Sequence, residues 1–432
     1  MKRWKWQIVL VLVLVLLAAA TVGVMAACGS SSSGGGETAS PAASGSAGGG
    51  DYTGTQTKWG EMNSLTGVSA APAKTLQMGY DEEVEYINAN GGVLGATIDS
   101  VNLDDKSDMS ASVAGVTQLI NQDKVDLVIG PFPQMVATAA RSISEKAGTP
   151  HMLYAPPTIA DLKKTDYKWS FLCAAGPDAV ADAYLVAAQK AGYKNVVAIA
   201  DVIPIHQESI ALMKEYYADA GIEKFTALPD KWDLAATDVS PIVAKIAAAA
   251  KAEKPDALFI LSNPIHVPAI QKGLKALGIT TPVIGSAAGT SPAIFLQGPE
   301  AVEGFTALGV GITNPAELPD GYPGKEDMLA FSDRYMAKYN QPPDFYAGFA
   351  YDAVHLMANA QIAAGNPTDK EAVRTAMENT TDWAGCQGVF TYSATDHVGI
   401  HGGFCLWTVK GGQFTFTEEL NPTGLVIIPP LQ

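Results

Sequence analysis

Short apolar runs alternate with helical patterns along this chain from residue 51 onward. The runs VDLVIG (125–130), NVVAIA (195–200) and DALFIL (256–261) suit strands that are buried on both faces of a sheet. Between such runs lie segments of about 10 to 15 residues with helical spacing, and this alternation is typical of right-handed βαβ units with mostly parallel sheets. The sequence therefore predicts an α/β fold.

The pattern locates individual elements. It predicts helices over 76–90, 110–122, 134–147, 177–192, 206–221 and 239–252, and strands over 97–103, 125–130, 151–154, 195–200, 223–228 and 257–261. We expect Gly91 and Gly92 to end the first helix, because glycine accepts the left-handed conformation of a helix stop. Pro177 suits the first position of a helix. Residues 51–432 exceed the length that one hydrophobic core usually serves, so two lobes are expected.

The N-terminus has the charged, apolar and small-residue regions of a secretory signal. Its last residues, Met25-Ala26-Ala27-Cys28, resemble the bacterial lipoprotein signal, in which the cysteine is lipid-modified and begins the mature protein. We therefore expect a signal peptide over 1–27 and a lipid-anchored, flexible Ser/Gly linker over 28–51. The alternative is an uncleaved anchor, because residues 8–27 contain no charge and about 20 apolar residues can span a bilayer.

Charge and cysteine content restrict the partners. The formal net charge of −16 argues against nucleic acid and against binding to anionic lipid through a basic patch. Apart from Cys28, three cysteines remain, which is an odd number for an oxidising compartment. Cys386 and Cys405 flank what looks like a hairpin region. They either form a disulfide or, with Cys173, are buried free thiols.

Motifs along nearly the whole mature chain carry a family resemblance. They are Leu65-Thr66-Gly67, YINANGGVLG (86–95), LDDKSDMSASVAGVTQLI (103–120), EKAGTPHM (145–152), AGYKNVVAIAD (191–201), FSDRYMAKYNQPP (331–343), AYDAVHLMANAQIAAGN (350–366) and GCQGVFTY (385–392). In this order and spacing, the chain resembles the branched-chain amino-acid-binding family of periplasmic-type binding proteins, which serve ABC importers.

The resemblance implies a periplasmic binding protein type I fold, in which two Rossmann-like lobes are joined by three hinge crossings. The crossings are expected near 174–176, 307–309 and 404–407. Lobe 1 is expected over 52–175 plus 308–404, and lobe 2 over 176–307 plus 405–432. A ligand would lie in the cleft between the lobes, at the carboxyl ends of the strands, and hinge closure would report its presence.

The resemblance also implies a ligand site, whose expected residues are Thr66, Phe132, Gln134, Tyr154, Thr158, Ile205, His206, Asn263 and Ala287. Gln134 stands where the family has a serine, at a helix start that favours an anion; its alternative role is to cap that helix. Thr158 is otherwise a turn hydroxyl. Ala287 replaces the acid that receives a ligand ammonium, which disfavours an ordinary α-amino acid because an unpaired buried charge is costly.

Polar residues beside this site have a second interpretation. His206, expected to donate a hydrogen bond to an acidic or polar ligand, is otherwise a solvated helix-start residue, and the same two roles are open to His266. His397 and His401 are spaced i, i+4, but the glycines around them predict a loop rather than a zinc-binding helix. Asp104, Asp105 and Asp108 lack the spacing of a calcium loop and suit a strand end and helix start. No metal or cofactor is expected.

The sequence thus predicts a monomeric substrate-binding lipoprotein outside the cytoplasm, anchored by its lipid to the outer face of the cell membrane or located on the periplasmic side. It would bind a small organic acid or amino-acid-like ligand and deliver it to an ABC permease. One alternative is a ligand-sensing receptor subunit of the same fold. The other is an extracellular enzyme, against which the lack of a GxSxG, HExxH or P-loop motif weighs.

Overall fold

A computed structural model of the protein describes residues 52–163 and 167–426. The predicted signal peptide, Cys28 and the linker up to residue 51 lie outside these ranges. Within them, no helix combines the length and hydropathy needed to cross a bilayer. The two sheets described below, with their helices, belong to one compact unit.

The first sheet is wholly parallel and has five strands in the order β2-β1-β3-β4-β5. Its strands are β1 (Gln56–Asn63), β2 (Thr97–Asp104), β3 (Leu127–Ile129), β4 (His151–Leu153) and β5 (Ser170–Leu172). The helices between them are α1 (Ala70–Ala89), α2 (Met109–Asn121), α3 (Gln134–Ala147) and the short α4 (Ile159–Leu162).

The second sheet has seven strands in the order β14-β13-β10-β9-β8-β6-β7. Its parallel part is β6 (Asn195–Ala200), β7 (Lys224–Ala227), β8 (Ala257–Leu261), β9 (Val283–Gly285) and β10 (Thr306–Gly309), with helices α5 (Pro177–Ala191), α6 (Pro204–Tyr216), α7 (Ser240–Glu253) and α8 (Val267–Ala276). The antiparallel edge is β13 (Phe404–Lys410) and β14 (Gln413–Leu420).

Helices from the C-terminal third complete both cores. They are α9 (Lys325–Tyr339), α10 (Phe345–Ala364) and α11 (Lys370–Glu378), followed by the small hairpin of β11 (Trp383–Ala384) and β12 (Val389–Phe390). α10 packs against α1 and is buried along most of its length. Its Ala350 and Ala353 lie in the core of the first sheet, whereas Ala347 and Tyr351 lie in that of the second.

Most predicted elements are confirmed. α3, β6 and β8 have the predicted bounds, while α1 begins six residues before the predicted start at residue 76. Gly91 and Gly92 follow α1 with φ of 103° and 65°, as a helix stop requires. The lobe boundaries and hinge crossings stay predictions. Two of those crossings fall on neighbouring antiparallel strands, where Gly309 of β10 lies opposite Cys405 of β13.

The predicted disulfide between Cys386 and Cys405 is wrong, and the thiol alternative is correct. Both residues and Cys173 are buried free cysteines. Cys386 lies in the turn of the β11–β12 hairpin, where its N–H donates to Asp352 at 2.6 Å, whereas Cys405 lies in β13. The hairpin interpretation assumed that the two cysteines are neighbours across one hairpin, but they lie in different structural elements. Burial raises the pKa of the Cys405 thiol to about 12, which keeps it protonated.

Candidate functional site

Six segments follow the carboxyl ends of parallel strands and carry all nine predicted site residues. These strand-end segments are 64–69, 130–134 and 154–158 in the first sheet, and 201–206, 262–266 and 286–290 in the second. Open α/β sheets bind ligands at this edge, where strand ends meet helix starts. Two contacts link the edges of the two sheets, one through α4 and α6 and one through the start of α10.

Gln134 is the first residue of α3, and its side-chain amide is unpaired within the described part of the chain. The preceding Gly130–Pro131 peptide is cis, and a Cβ at Gly130 would lie 2.0 Å from the carbonyl oxygen of Met62 in β1. Glycine is therefore required where β3 ends. Pro133 is the N-cap residue of α3, without a side-chain cap, so the alternative that Gln134 caps the helix is wrong. Both Nε2 and Oε1 of Gln134 are buried without a hydrogen-bond partner among the described residues.

Thr158 is the N-cap residue of α4 and forms a capping box with Asp161. Its Oγ1 accepts from the N–H of Asp161 at 2.9 Å, and its own N–H donates to Oδ2 of Asp161 at 3.0 Å. Burial opposes ionisation of Asp161, but the Arg141 guanidinium at 3.0 Å and the bonds from Thr158 lower the pKa of that carboxyl overall. The Thr158 hydroxyl therefore has the local role of a cap, and its contact with a ligand stays a prediction.

Two other site residues of the first sheet are also engaged within the protein. The Thr66 hydroxyl donates to Oδ2 of Asp104 at 2.7 Å. Tyr154 is fully buried, and its hydroxyl donates to Oε1 of Glu61 in β1 at 3.3 Å, so this hydroxyl is directed into the sheet. Asp104 ends β2, and Asp108 is the N-cap of α2, where it accepts from the N–H of Ala111, as the sequence predicts.

In the second sheet, Asp201 brings two predicted site residues together. Its buried carboxylate accepts from Nδ1 of His206 at 2.7 Å, from the N–H of Ile203 at 3.1 Å and from the N–H of Asn263 at 2.7 Å. Donation from Nδ1 makes Nε2 of a neutral His206 a hydrogen-bond acceptor, and this nitrogen has no partner in the described part of the chain. Asp201 thus fixes the orientation of the His206 ring, and its three hydrogen bonds already occupy both carboxylate oxygens.

The solvated alternative is wrong for both histidines, because both are buried. His206 lies in the first turn of α6, as predicted, but only 6% of it is exposed. Both ring nitrogens of His266 form hydrogen bonds within the protein. Nε1 of Trp232 donates to its Nδ1 at 3.1 Å, so its Nε2 donates to the carbonyl of Ala236 at 2.9 Å. Only His206 keeps a nitrogen for a ligand.

The remaining segment of the second sheet is uncharged. Ala287 begins a 3-10 turn over Ala287–Thr290 and packs against the core of this sheet. The Ser286 hydroxyl donates to the carbonyl of Ser262, and that of Thr290 donates to the carbonyl of Ala287. No carboxylate therefore stands at the position where the family resemblance implies an acid.

The start of α10 also lies beside the candidate site, and none of the residues predicted from the sequence belongs to it. The ring of Tyr346 meets Phe132 edge to face, with centroids 5.3 Å apart. Burial raises the pKa of Tyr346, and the carboxylates of Asp344 and Asp201 add to this rise, so Tyr346 lies near strand-end segments of both sheets. Asp344 caps α10 by accepting from two backbone N–H groups. Pro343-Asp344 signals a helix start, but nothing local places that helix beside residues 132 and 201.

A second contact joins the two edges. The N–H of Ile159, the first residue of α4, donates to Oε2 of Glu208 in α6 at 3.2 Å. Burial raises the pKa of Glu208, while the bond from Ile159 opposes the rise. This contact begins one residue after Thr158, so the predicted site in the first sheet is directly connected to a helix of the second.

The histidines at 397 and 401 lie in a loop, as predicted, and bind different groups. Nδ1 of His397 donates to the carbonyl of Ser170 at 3.0 Å, and its ring stacks on Phe171 at 4.1 Å. Nε2 of His401 contacts Asp396 at 2.7 Å. Within 52–163 and 167–426, no group of three or more His, Cys, Asp or Glu side chains is arranged to hold a metal ion.

Comparisons with known proteins agree with this architecture. A family model described as periplasmic binding protein matches residues 56–413. The Leu/Ile/Val-binding protein BraC3 of Rhizobium johnstonii is 24% identical over 364 residues, which cover 83% of this chain and 93% of that protein.

Two solved structures share the fold. One is the branched-chain amino acid transporter substrate binding protein LivJ of Streptococcus pneumoniae in complex with isoleucine, with a TM-score of 0.68 and 23% identity over 84% of this chain and 99% of that one. The other is an ABC transporter solute binding protein of Rhodopseudomonas palustris in complex with benzoate, with a TM-score of 0.69 and 22% identity over 85% of this chain and 97% of that one. These overlaps confirm the predicted fold.

Proposed function

Because this chain belongs to the periplasmic binding protein family, whose model matches residues 56–413, we propose that it is the substrate-binding lipoprotein of an ABC importer. It binds a small organic acid or an amino-acid-like ligand between the two lobes, and hinge closure presents the loaded protein to the permease. The lipid on Cys28 holds it at the outer face of the cell membrane, and it acts as a monomer.

The observation that carries the proposal is that all nine predicted site residues lie on segments that follow the carboxyl ends of parallel strands in the two sheets. The first backbone N–H groups of a helix have no partner within the helix and favour an anion. At α3, a helix of 14 residues, no side-chain cap occupies them. Relatives with the same fold are described in complex with isoleucine and with benzoate. Both ligands carry a carboxylate, which suits a helix start, and only the first carries an ammonium.

A thermal-shift screen tests ligand binding. The full chain, purified in detergent, is screened against amino acids, aliphatic and aromatic carboxylates, amides and nucleosides, because a ligand that binds only the folded state raises the melting temperature. We expect at least one small molecule to stabilise the protein with one site per chain. A panel without any stabilising compound contradicts solute binding.

Uptake separates import from sensing. Cells that lack this protein should lose accumulation of the radiolabelled ligand, and the wild-type gene should restore it. A Cys28→Ala variant that stays unlipidated should be released from the membrane fraction and should transport poorly. Normal uptake without the protein, together with intact ligand binding, indicates a sensory receptor subunit instead.

A further inference from the structure

The strand-end segments carry no unpaired charge. They contain no lysine or arginine, and their single acid is Asp201. Asp201 already accepts from His206 and from two backbone N–H groups. The nearby Asp344 accepts from two N–H groups of α10. A ligand ammonium finds no free carboxylate on these segments, and a ligand carboxylate finds no guanidinium or Lys ammonium.

Six of the seven serine and threonine hydroxyls on the same segments already donate a hydrogen bond to the protein; the exception is Ser69, the N-cap residue of α1, which makes no side-chain cap bond. The six donate to protein oxygens, and they belong to Ser64, Thr66, Thr158, Ser262, Ser286 and Thr290. Their oxygens still accept hydrogen bonds, but a ligand acceptor would displace an existing bond. These hydroxyls are therefore poor donors to a ligand.

Gln134 differs from all of these side chains. Its Nε2 and Oε1 are both buried, and neither has a partner among the described residues. A buried polar group without a partner is unfavourable because it has lost its water and gained nothing in exchange. A ligand that pairs both atoms recovers this loss on binding, so Gln134 is the side chain that most strongly selects the ligand.

From these contacts we infer that the ligand of this site is a small apolar molecule with a primary carboxamide or urea group. This inference rests on the solute-binding role proposed above and changes its ligand class, because it expects uncharged amides in place of the corresponding organic acids and amino acids. A carboxamide or urea places an acceptor and an N–H donor side by side, so it forms two parallel bonds with the donor and acceptor of Gln134. Neither bond requires a charge to be buried.

Charged relatives of such a ligand fit less well. A carboxylate accepts from Nε2 of Gln134, but it has no proton to give to Oε1. An α-amino acid meets both atoms with its carboxylate and ammonium, yet it leaves the ammonium with a neutral oxygen as partner, which is unfavourable in a buried site. The amide is therefore expected to bind more tightly than either of them.

The surroundings of the site suit an apolar body. Phe132, on the same strand-end segment as Gln134, forms an edge-to-face pair with Tyr346, and Ile205 lies half-buried on a segment of the second sheet. Val202 and Ile265 on neighbouring segments are 42% and 49% exposed. Hydrophobic side chains with exposed area gain free energy when an apolar ligand covers them. Aliphatic and aromatic amides of a few carbons match this lining.

The test compares ligands that share a carbon skeleton. Isothermal titration calorimetry on the full chain in detergent uses isovaleramide, isovalerate and leucine, and then benzamide, benzoate and phenylalanine. We expect the amide of at least one series to bind about tenfold more tightly than the acid and the amino acid of that series. Equal or tighter binding of the acid or the amino acid in both series overturns the inference, whereas solute binding then stands.

Variants of Gln134 give a second, independent readout. Gln134→Met keeps the length of the side chain and removes both polar atoms, so amide affinity should fall roughly ten- to hundredfold. The matched control Gln122→Met lies on the exposed C-terminal end of α2 and should bind like the wild type. Unchanged amide affinity in a folded Gln134→Met protein contradicts the inference.

Failure of the proposed function has a different signature. If none of the six probes binds but the thermal-shift panel yields a ligand without a carboxamide or urea group, the amide inference is wrong and solute binding is retained. If neither the probes nor the panel bind, solute binding itself fails.

Discussion

Glu61 allows a quantitative prediction, because its carboxyl group is buried beneath the site. It lies in β1 and is fully buried, its Oε1 accepts from the hydroxyl of Tyr154, and its Oε2 has no partner among the described residues. Burial raises the pKa of Glu61 from 4.5 to about 8; the nearby side chains of Gln77 and Tyr154 oppose the rise, and the charge of Asp81 adds to it. The folded protein therefore holds a proton here that the unfolded chain releases near pH 4.5.

The sign follows from linkage. A group whose pKa is raised on folding contributes stability that is fully present below its unfolded pKa and is lost as the pH rises through its folded pKa. For Glu61 this window extends from about pH 4.5 to about pH 8. At about 1.4 kcal/mol per pH unit, the free energy of unfolding should fall by about 3 to 4 kcal/mol between pH 5 and pH 8 through this one group.

The substitution Glu61→Gln removes the titration without removing the accepting oxygen that Tyr154 uses. Chemical unfolding followed by circular dichroism at pH 5, 6, 7 and 8 should show a difference between variant and wild type that grows with pH in favour of the variant. Glu85→Gln is the control, because hydrogen bonding to Lys338 lowers the pKa of that exposed carboxyl from 4.5, so its contribution to stability is lost only below that pH. The difference between Glu85→Gln and wild type should therefore stay nearly constant from pH 5 to pH 8. Parallel stability profiles for wild type and Glu61→Gln would refute the reasoning.

Three further predictions concern groups with known partners. Asp201→Ala leaves an imidazole and two backbone N–H groups without their acceptor, so denaturant unfolding should show a loss of roughly 3 to 5 kcal/mol; a loss below about 1 kcal/mol would contradict the saturated network. Glu208→Ala removes the acceptor of the Ile159 N–H, so hydrogen exchange at that amide should accelerate severalfold, and an unchanged rate would mean that the α4–α6 contact does not persist in solution. The three described thiols should react with a thiol reagent only after unfolding, and peptide mapping that found a disulfide between any two of them would contradict their free state.

Much of the fold was predictable because its signals are local. β6 and β8 are continuous apolar runs, and α3 has helical spacing and a glycine stop, so their bounds follow from neighbouring residues. β1 was not predicted, because QTKWGEMN mixes polar and charged residues with a glycine. It is nevertheless an inner strand of the first sheet, where the backbone N–H of Lys58 donates to Asp126 and Glu61 accepts from Tyr154, and local spacing does not reveal these tertiary contacts.

The location of the site followed from the order of strands and helices, since each strand-end segment comes directly after its own strand. Its chemistry did not follow, because the partners are remote in sequence. Asp201 meets Asn263, Tyr346 meets Phe132, and burial in the folded protein raises the pKa of Glu61. The sequence by itself determined most strands and helices and the edge at which we predict a ligand to bind, because periodicity and turns depend on adjacent residues. Only the tertiary structure decided which side chains are already paired and which ones, Gln134 and His206 among them, keep a polar atom without a partner in the described residues, because pairing depends on the distances that folding creates.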